Sequence, residues 1–262
     1  MPTQTKSRQM STKLFLAQFD QAIAQLRKAG YKPATLKDAA RERIVQGRQA
    51  DVSTNRFYVA ESVLYIPGKG NYLVPANYSP ILASPVEATN AHRNVGDFYV
   101  NSERAEQIAE NSIAFPSKDI EVPVNRLAGE EVFAKSLGEK LAREYGEFLA
   151  DAGIESVPIV AVDQYDVNRK KKPFARQAWL RSLDGGSELD GNLRFLCGYL
   201  GDNLRVLGVR RGKTGGASAQ KPLPYTEKQL SEYTKLVQGV RAGNLPASKL
   251  ERVAEFLTSL RP

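Results

Sequence analysis

Carboxylates gathered between positions 163 and 190 are the first residues in this chain that could do chemistry. Asp163, Asp166, Asp184, Glu188 and Asp190 are the hard oxygen ligands that Mg²⁺ takes, and neighbouring lysines would steady a phosphate for hydrolysis. Their spacing argues against a shared site. Residues three apart on a strand face opposite ways, so Asp163 and Asp166 would not both reach one ion. The pairs Asp184-Gly185 and Asp190-Gly191 suit tight turns. A divalent-metal nuclease is therefore the third of three functional readings.

Two further constellations fall short of a site. Gly208-Val209-Arg210-Arg211-Gly212-Lys213-Thr214 ends in Gly-Lys-Thr after a strand pattern, as a nucleotide-cradling loop does. That loop needs four residues between its glycines and has three here, and Pro222 and Pro224 stand where its helix should begin. His92, with Asp97 five residues on, lacks a nucleophile that spacing can place. Cys197 lies in the apolar run Phe195-Leu196-Cys197-Gly198-Tyr199, read as a short helix holding an inert thiol. With one histidine and one cysteine, an internal disulfide and a structural zinc site are excluded, and a reducing, cytoplasmic setting fits. No catalytic residue, metal or cofactor is assigned, and the reading leans away from an enzyme.

The densest charge lies between positions 168 and 182: Arg169, Lys170, Lys171, Lys172, Arg176 and Arg181, six cations with no carboxylate. Arg169 to Lys172 fall between the apolar runs 157–162 and 174–183, which read as paired strands with a cationic tip. Like charges at this density repel one another unless solvent or an anion faces them. A two-stranded ribbon can enter a nucleic-acid groove, and aromatic side chains on a sheet can stack on unpaired bases. Phe174, with Tyr165 and Trp179 nearby, has that chemistry. Arg210, Arg211 and Lys213 would extend the surface.

Composition bounds these readings. The chain has 262 residues, 42% hydrophobic and 25% charged, the make-up of an ordinary globular protein with a sizeable core. No run of apolar residues is long enough to cross a membrane, and the first residues lack the apolar stretch of a secretory signal. The net charge of +8 is unevenly spread. Residues 1–57 carry 11 Lys and Arg against 4 Asp and Glu, whereas 102–155 carry 6 against 12. A surface polarised in this way can steer a polyanion or join complementary faces of two subunits.

The elements that must position these residues follow from periodicity. After a polar leader, 1–13, the residues Phe15, Phe19, Ile23 and Leu26 predict an amphipathic helix ending at Gly30, and 36–46 a second one with Lys37, Arg41, Arg43 and Arg48 on or near its exposed side. Alternation from Phe57 to Tyr65, the turn Pro67-Gly68-Lys69-Gly70, and Tyr72 to Val74 predict a β-hairpin. Prolines pin 75–85 as an irregular loop. A short strand at 97–100 and a short acidic helix at 102–110 follow. The clearest helix runs over 129–152, where Phe133, Leu137, Leu141, Tyr145 and Phe148 recur at three and four. Gly138 and Gly146 weaken it and suggest close packing against another element. A helix near 193–200 and a strand at 204–209 complete the pattern.

Helix and strand signals alternate without a βαβ rhythm, so the fold class is α+β. A mainly antiparallel sheet packs with one long amphipathic helix and several short ones in a main domain, 14–211. A flexible basic linker, 212–224, then leads to a C-terminal helical hairpin, 225–262. The leading functional expectation is a non-catalytic protein that binds nucleic acid, RNA or DNA, or a nucleoprotein assembly. Its basic hairpin would neutralise phosphates. The alternative is a structural or self-assembling protein joined through the acidic 102–155 segment and the 225–262 hairpin to a protein partner or to itself. No membrane contact is expected.

Overall fold

Alternating apolar residues from Phe57 onward are realised as a strand buried along its whole length, and the fold is arranged around it. The structure, a computed structural model, describes residues 10–94, 97–162, 164–183, 196–198 and 204–211. In chain order its elements begin with β1 (Met10–Ala17), α1 (Phe19–Lys28), β2 (Lys32–Pro33), α2 (Leu36–Gln46), α3 (Asp51–Thr54), β3 (Phe57–Ile66) and β4 (Gly70–Val74). Next come α4 (Pro80–Ala83), α5 (Pro85–Asn94), β5 (Phe98–Tyr99), α6 (Ser102–Ala109), β6 (Ile113–Phe115), β7 (Ile120–Pro123) and a 3₁₀ turn, Val124–Arg126. The last are α7 (Glu131–Leu137), α8 (Glu139–Asp151), β8 (Ser156–Ile159), α9 (Gln164–Arg169), β9 (Phe174–Leu180), β10 (Leu196–Gly198) and β11 (Leu204–Arg211).

Among the described residues nine strands form one sheet in which β3 is central. Along one edge β3 meets β4 antiparallel and β11 parallel; along the other it meets β9, which also carries β5 and β10. β1 closes the far side of β11, and β7 pairs with β8 in a separate two-stranded sheet. The α+β class and the largely antiparallel sheet are thus present. All ten side chains of β3 are buried because helices cover both faces. Phe57, Val59, Val63 and Tyr65 enter a core with α2, α7 and α8, while Tyr58, Leu64 and Ile66 enter a second with α1, α5 and α6. Successive strand residues point to opposite faces, so one strand feeds two cores.

Several expectations are corrected. Phe15, placed at the head of a helix by its spacing to Phe19, lies on β1, paired with Val206; strand pairing overrides a local period. The proline-rich 75–85 loop contains α4, with Ser79 accepting from the Leu82 N–H and Pro80 in the first turn, a position that needs no donor. The periodic run over 129–152 divides into α7 and α8 at Gly138, whose φ of 85° breaks the helical path. Gly146 packs as its spacing suggested: a Cβ there would lie 2.2 Å from the Val124 carbonyl oxygen. Residues 196–198, expected to be helical, form β10 against β9.

The basic hairpin does not exist. β8 pairs with β7 and β9 pairs with β3, with α9 between them. Adjacency along the chain suggested a pairing that distant partners win. No helix among the described residues is long and apolar enough to cross a membrane. The linker, the C-terminal hairpin, Asp163, Asp184, Glu188, Asp190 and Lys213 lie outside the described residues.

Candidate functional site

The six cations of 168–182 are dispersed, and two are held by an acid of the same chain. Asp97, 2% exposed at its side chain, accepts hydrogen bonds from Lys170 and from Arg176 Nε, the latter at 2.7 Å. Burial works to raise the Asp97 carboxyl, but hydrogen bonds and charges from Lys170 and Arg176 outweigh it and hold the group below its usual range. Arg169 stacks over Tyr165 on α9, and the backbone carbonyl of Arg181 accepts from Arg43. Phe174, offered as a base-stacking residue, is fully buried and stacked on Tyr65 with centroids 4.8 Å apart. Lys171, in left-handed backbone with φ 57°, and Lys172 are left exposed.

The acid–cation knot fixes the approach to β9, and its removal has a defined cost. Asp97→Asn would leave Lys170 and Arg176 without their carboxylate, with an expected loss of about 3 kcal/mol at neutral pH. This is the low end for breaking a buried pair, because Lys170 keeps part of its side chain in water. The native stabilisation is present above the ordinary carboxylate pKa and lost as pH falls through the depressed folded value. Urea unfolding along a series of falling pH checks this: the gap between the two proteins should narrow as acid titrates the folded Asp97. Unchanged stability at neutral pH would show the knot to be inert.

Gly208, the first glycine of the candidate phosphate loop, lies inside β11. A Cβ there would come within 2.9 Å of the Phe15 ring and 3.0 Å of Leu26, so the residue lets α1 and β1 close on β11 rather than cradling a nucleotide. Arg211 ends the same strand. Asp166 sits exposed on α9, not at a strand end. Among the described residues no group of three His, Cys, Asp or Glu side chains is placed to hold a metal ion. His92 is buried on α5.

A different place gathers polar and charged groups that the sequence did not single out. Opposite Ala178 of β9 stand three β3 residues, Val59 to Glu61, a bulge whose carbonyls at 59 and 61 accept from the Gln177 side chain. The bulge turns the Ala60 N–H to the Ala34 carbonyl at 2.7 Å and sends the Glu61 carboxyl to the Leu36 N–H at 3.0 Å. Glu61 therefore joins the capping box of α2, in which Thr35 accepts from the Asp38 N–H and Asp38 accepts from Thr35. Burial, and secondarily the nearby Asp38 charge, push the Glu61 pKa up to about 8 against its two backbone hydrogen bonds. A single carboxylate inside the strand-patterned run Phe57–Ile66 was the available sign of it.

Outside this bulge lies a groove of about 820 Å³. Its walls are the end of α1, β2, the start of α2, the 76–79 turn with α4, and the end of β11. Arg27, Lys32 and Arg210 stand on its rim, and Asp38 is the one carboxylate among its described lining residues. Arg27 donates to the Leu82 carbonyl at 3.3 Å, and Arg210 lies over the Tyr31 ring at 4.8 Å. Of the sequence-predicted site residues whose side chains are described, Arg210 alone reaches this groove.

No family model and no curated protein matches the chain. A solved structure from work on the accommodation of massive sequence variation in Nanoarchaeota by the C-type lectin fold is similar to it, with a TM-score of 0.58 and 17% identity over 77% of this chain and 99% of that one. The fold is of the C-type lectin type. That likeness overturns the nucleic-acid expectation. Within this C-type lectin fold the ribbon supposed to carry the binding is absent, and Lys170 and Arg176 are paired to Asp97.

Proposed function

We propose that this chain is a ligand-recognition module that uses a C-type lectin fold as a rigid frame for a surface open to sequence change. The observation that carries the reading is the likeness along 99% of a solved chain described as accommodating massive sequence variation through that fold. The physical basis is separation of labour. Stability resides in two cores flanking β3, so positions on the groove rim are free to change with little cost to folding. A single cysteine in the chain fits a reducing compartment, the cytoplasm.

Simultaneous replacement of the exposed residues Lys32, Asn77, Ala83 and Arg210 by varied polar residues is expected to move stability by less than about 0.5 kcal/mol per site, read by urea unfolding. The recognition itself is tested by panning the folded protein against random peptides displayed on phage and against a saccharide array, with the urea-unfolded chain as control. Ligands retained by the folded protein alone are expected. Retention of nothing beyond the unfolded control would refute the reading.

A further inference from the structure

We propose that the groove bounded by Arg27, Lys32 and Arg210 is a docking site for an acidic peptide segment of a partner protein, apolar side chains on its floor and carboxylates against its rim. The inference rests on the recognition reading above and names the ligand class for that surface. Three observations carry it.

The first is charge that is oriented without being cancelled. Arg27 is steered by a backbone carbonyl and Arg210 by an aromatic face, contacts that fix a guanidinium while leaving its charge. Among the described residues none of the three rim cations forms an ion pair, in contrast to Lys170 and Arg176. An incoming carboxylate therefore meets cations already in place, with little ordering cost. Arg27 and Arg210 can also receive it through two N–H groups at once.

The second is the floor. Pro33, Ala60, Ala76, Leu82 and Val209 are small or aliphatic, and no aromatic ring is among the described lining residues. A saccharide is usually seated on a ring face, whereas aliphatic side chains of a peptide pack on such a surface without one. The volume, about 820 Å³, is that of a built ligand cleft.

The third is the treatment of acids around the groove. Asp38 spends its carboxylate on the Thr35 N–H and hydroxyl, and the buried Glu61 carboxyl is turned inward to the Leu36 N–H. The rim stays net positive at pH 7.

The experiment takes the peptides retained on panning, scores their composition, and measures one of them, fluorescein-labelled, by anisotropy. The expected result is enrichment in Asp and Glu among apolar residues, affinity that falls with salt, and binding roughly a hundredfold weaker in Arg27→Glu/Lys32→Glu/Arg210→Glu. Lys32→Glu alone, at an exposed residue with no side-chain hydrogen bond among the described residues, is expected to weaken binding several-fold, and it keeps the test decisive should the triple variant misfold. Retained peptides that lack acidic residues, or that bind the charge-reversed proteins as tightly as the parent, would overturn this assignment while leaving the recognition reading standing. Retention of a sulfated saccharide such as a heparin fragment, with no peptide retained, would overturn it in favour of a carbohydrate ligand.

Discussion

Arg43→Ala is expected to destabilise the protein by about 4 kcal/mol, the largest single loss of stability the structure implies. Arg43 is fully buried on α2. Its guanidinium donates to the carbonyls of Val52 and Arg181 and to the Tyr145 hydroxyl, at 2.9, 2.7 and 3.1 Å, and sits 5.4 Å from the Phe57 ring centroid. It ties α2 to α3, α8 and the end of β9. Truncation opens a cavity and strips three buried acceptors of their donor, each loss costing about 1 to 3 kcal/mol. Removal of a buried charge recovers some desolvation energy, so Arg43→Met, which keeps most of the volume, is expected to fall between alanine and wild type. Urea midpoints of the three proteins check the order. Wild-type stability in the alanine variant would mean that the guanidinium is not the tie described.

Glu61→Gln is expected to stabilise the protein at alkaline pH and leave it nearly unchanged in mild acid. The folded-state pKa, about 8, lies above the ordinary 4.5. A group raised in this way binds a proton more tightly when folded than when unfolded. Its contribution is complete below about pH 4.5 and declines as pH rises through 8. The decline integrates to on the order of 5 kcal/mol. Glutamine keeps the acceptor for the Leu36 N–H and cannot ionise, so that slope should vanish. Glu42, also raised, chiefly by burial, leaves a smaller residual slope of the same sign. Chemical unfolding of both proteins from pH 5 to 8.5 measures this. Parallel curves would place a charged carboxylate at the bulge and contradict the buried geometry.

Local order was legible in the residues and long-range pairing was not. Alternation from Phe57 to Tyr65 with a Pro-Gly-Lys-Gly turn describes β3 and β4 closely, because a tight hairpin closes through neighbours in the chain. The helices at 36–46 and 102–109 carry their own caps, Thr35 and Asn101. The partner of the 174–180 strand has no such local sign. β9 chooses β3, more than a hundred residues earlier, over the nearby apolar run that became β8. Arg43 was placed on or near the exposed face of its helix because its three acceptors come from 52, 145 and 181, which no window around α2 contains. The cationic cluster misled for the same reason: Asp97, its counter-ion, lies 73 residues before Lys170. The groove could not be seen at all, since its three rim cations are drawn from α1, β2 and β11.

Recognition through the groove, and not through the cationic ridge of 169–172, is the central claim, and one comparison tests it most directly. A labelled peptide retained by the folded protein is titrated against the wild type, against Arg27→Glu/Lys32→Glu/Arg210→Glu, and against Lys171→Glu/Lys172→Glu, whose two positions are exposed. The account predicts that reversing the groove charges removes binding and that reversing the ridge charges leaves it within about twofold. Binding lost only in the ridge variant would contradict it.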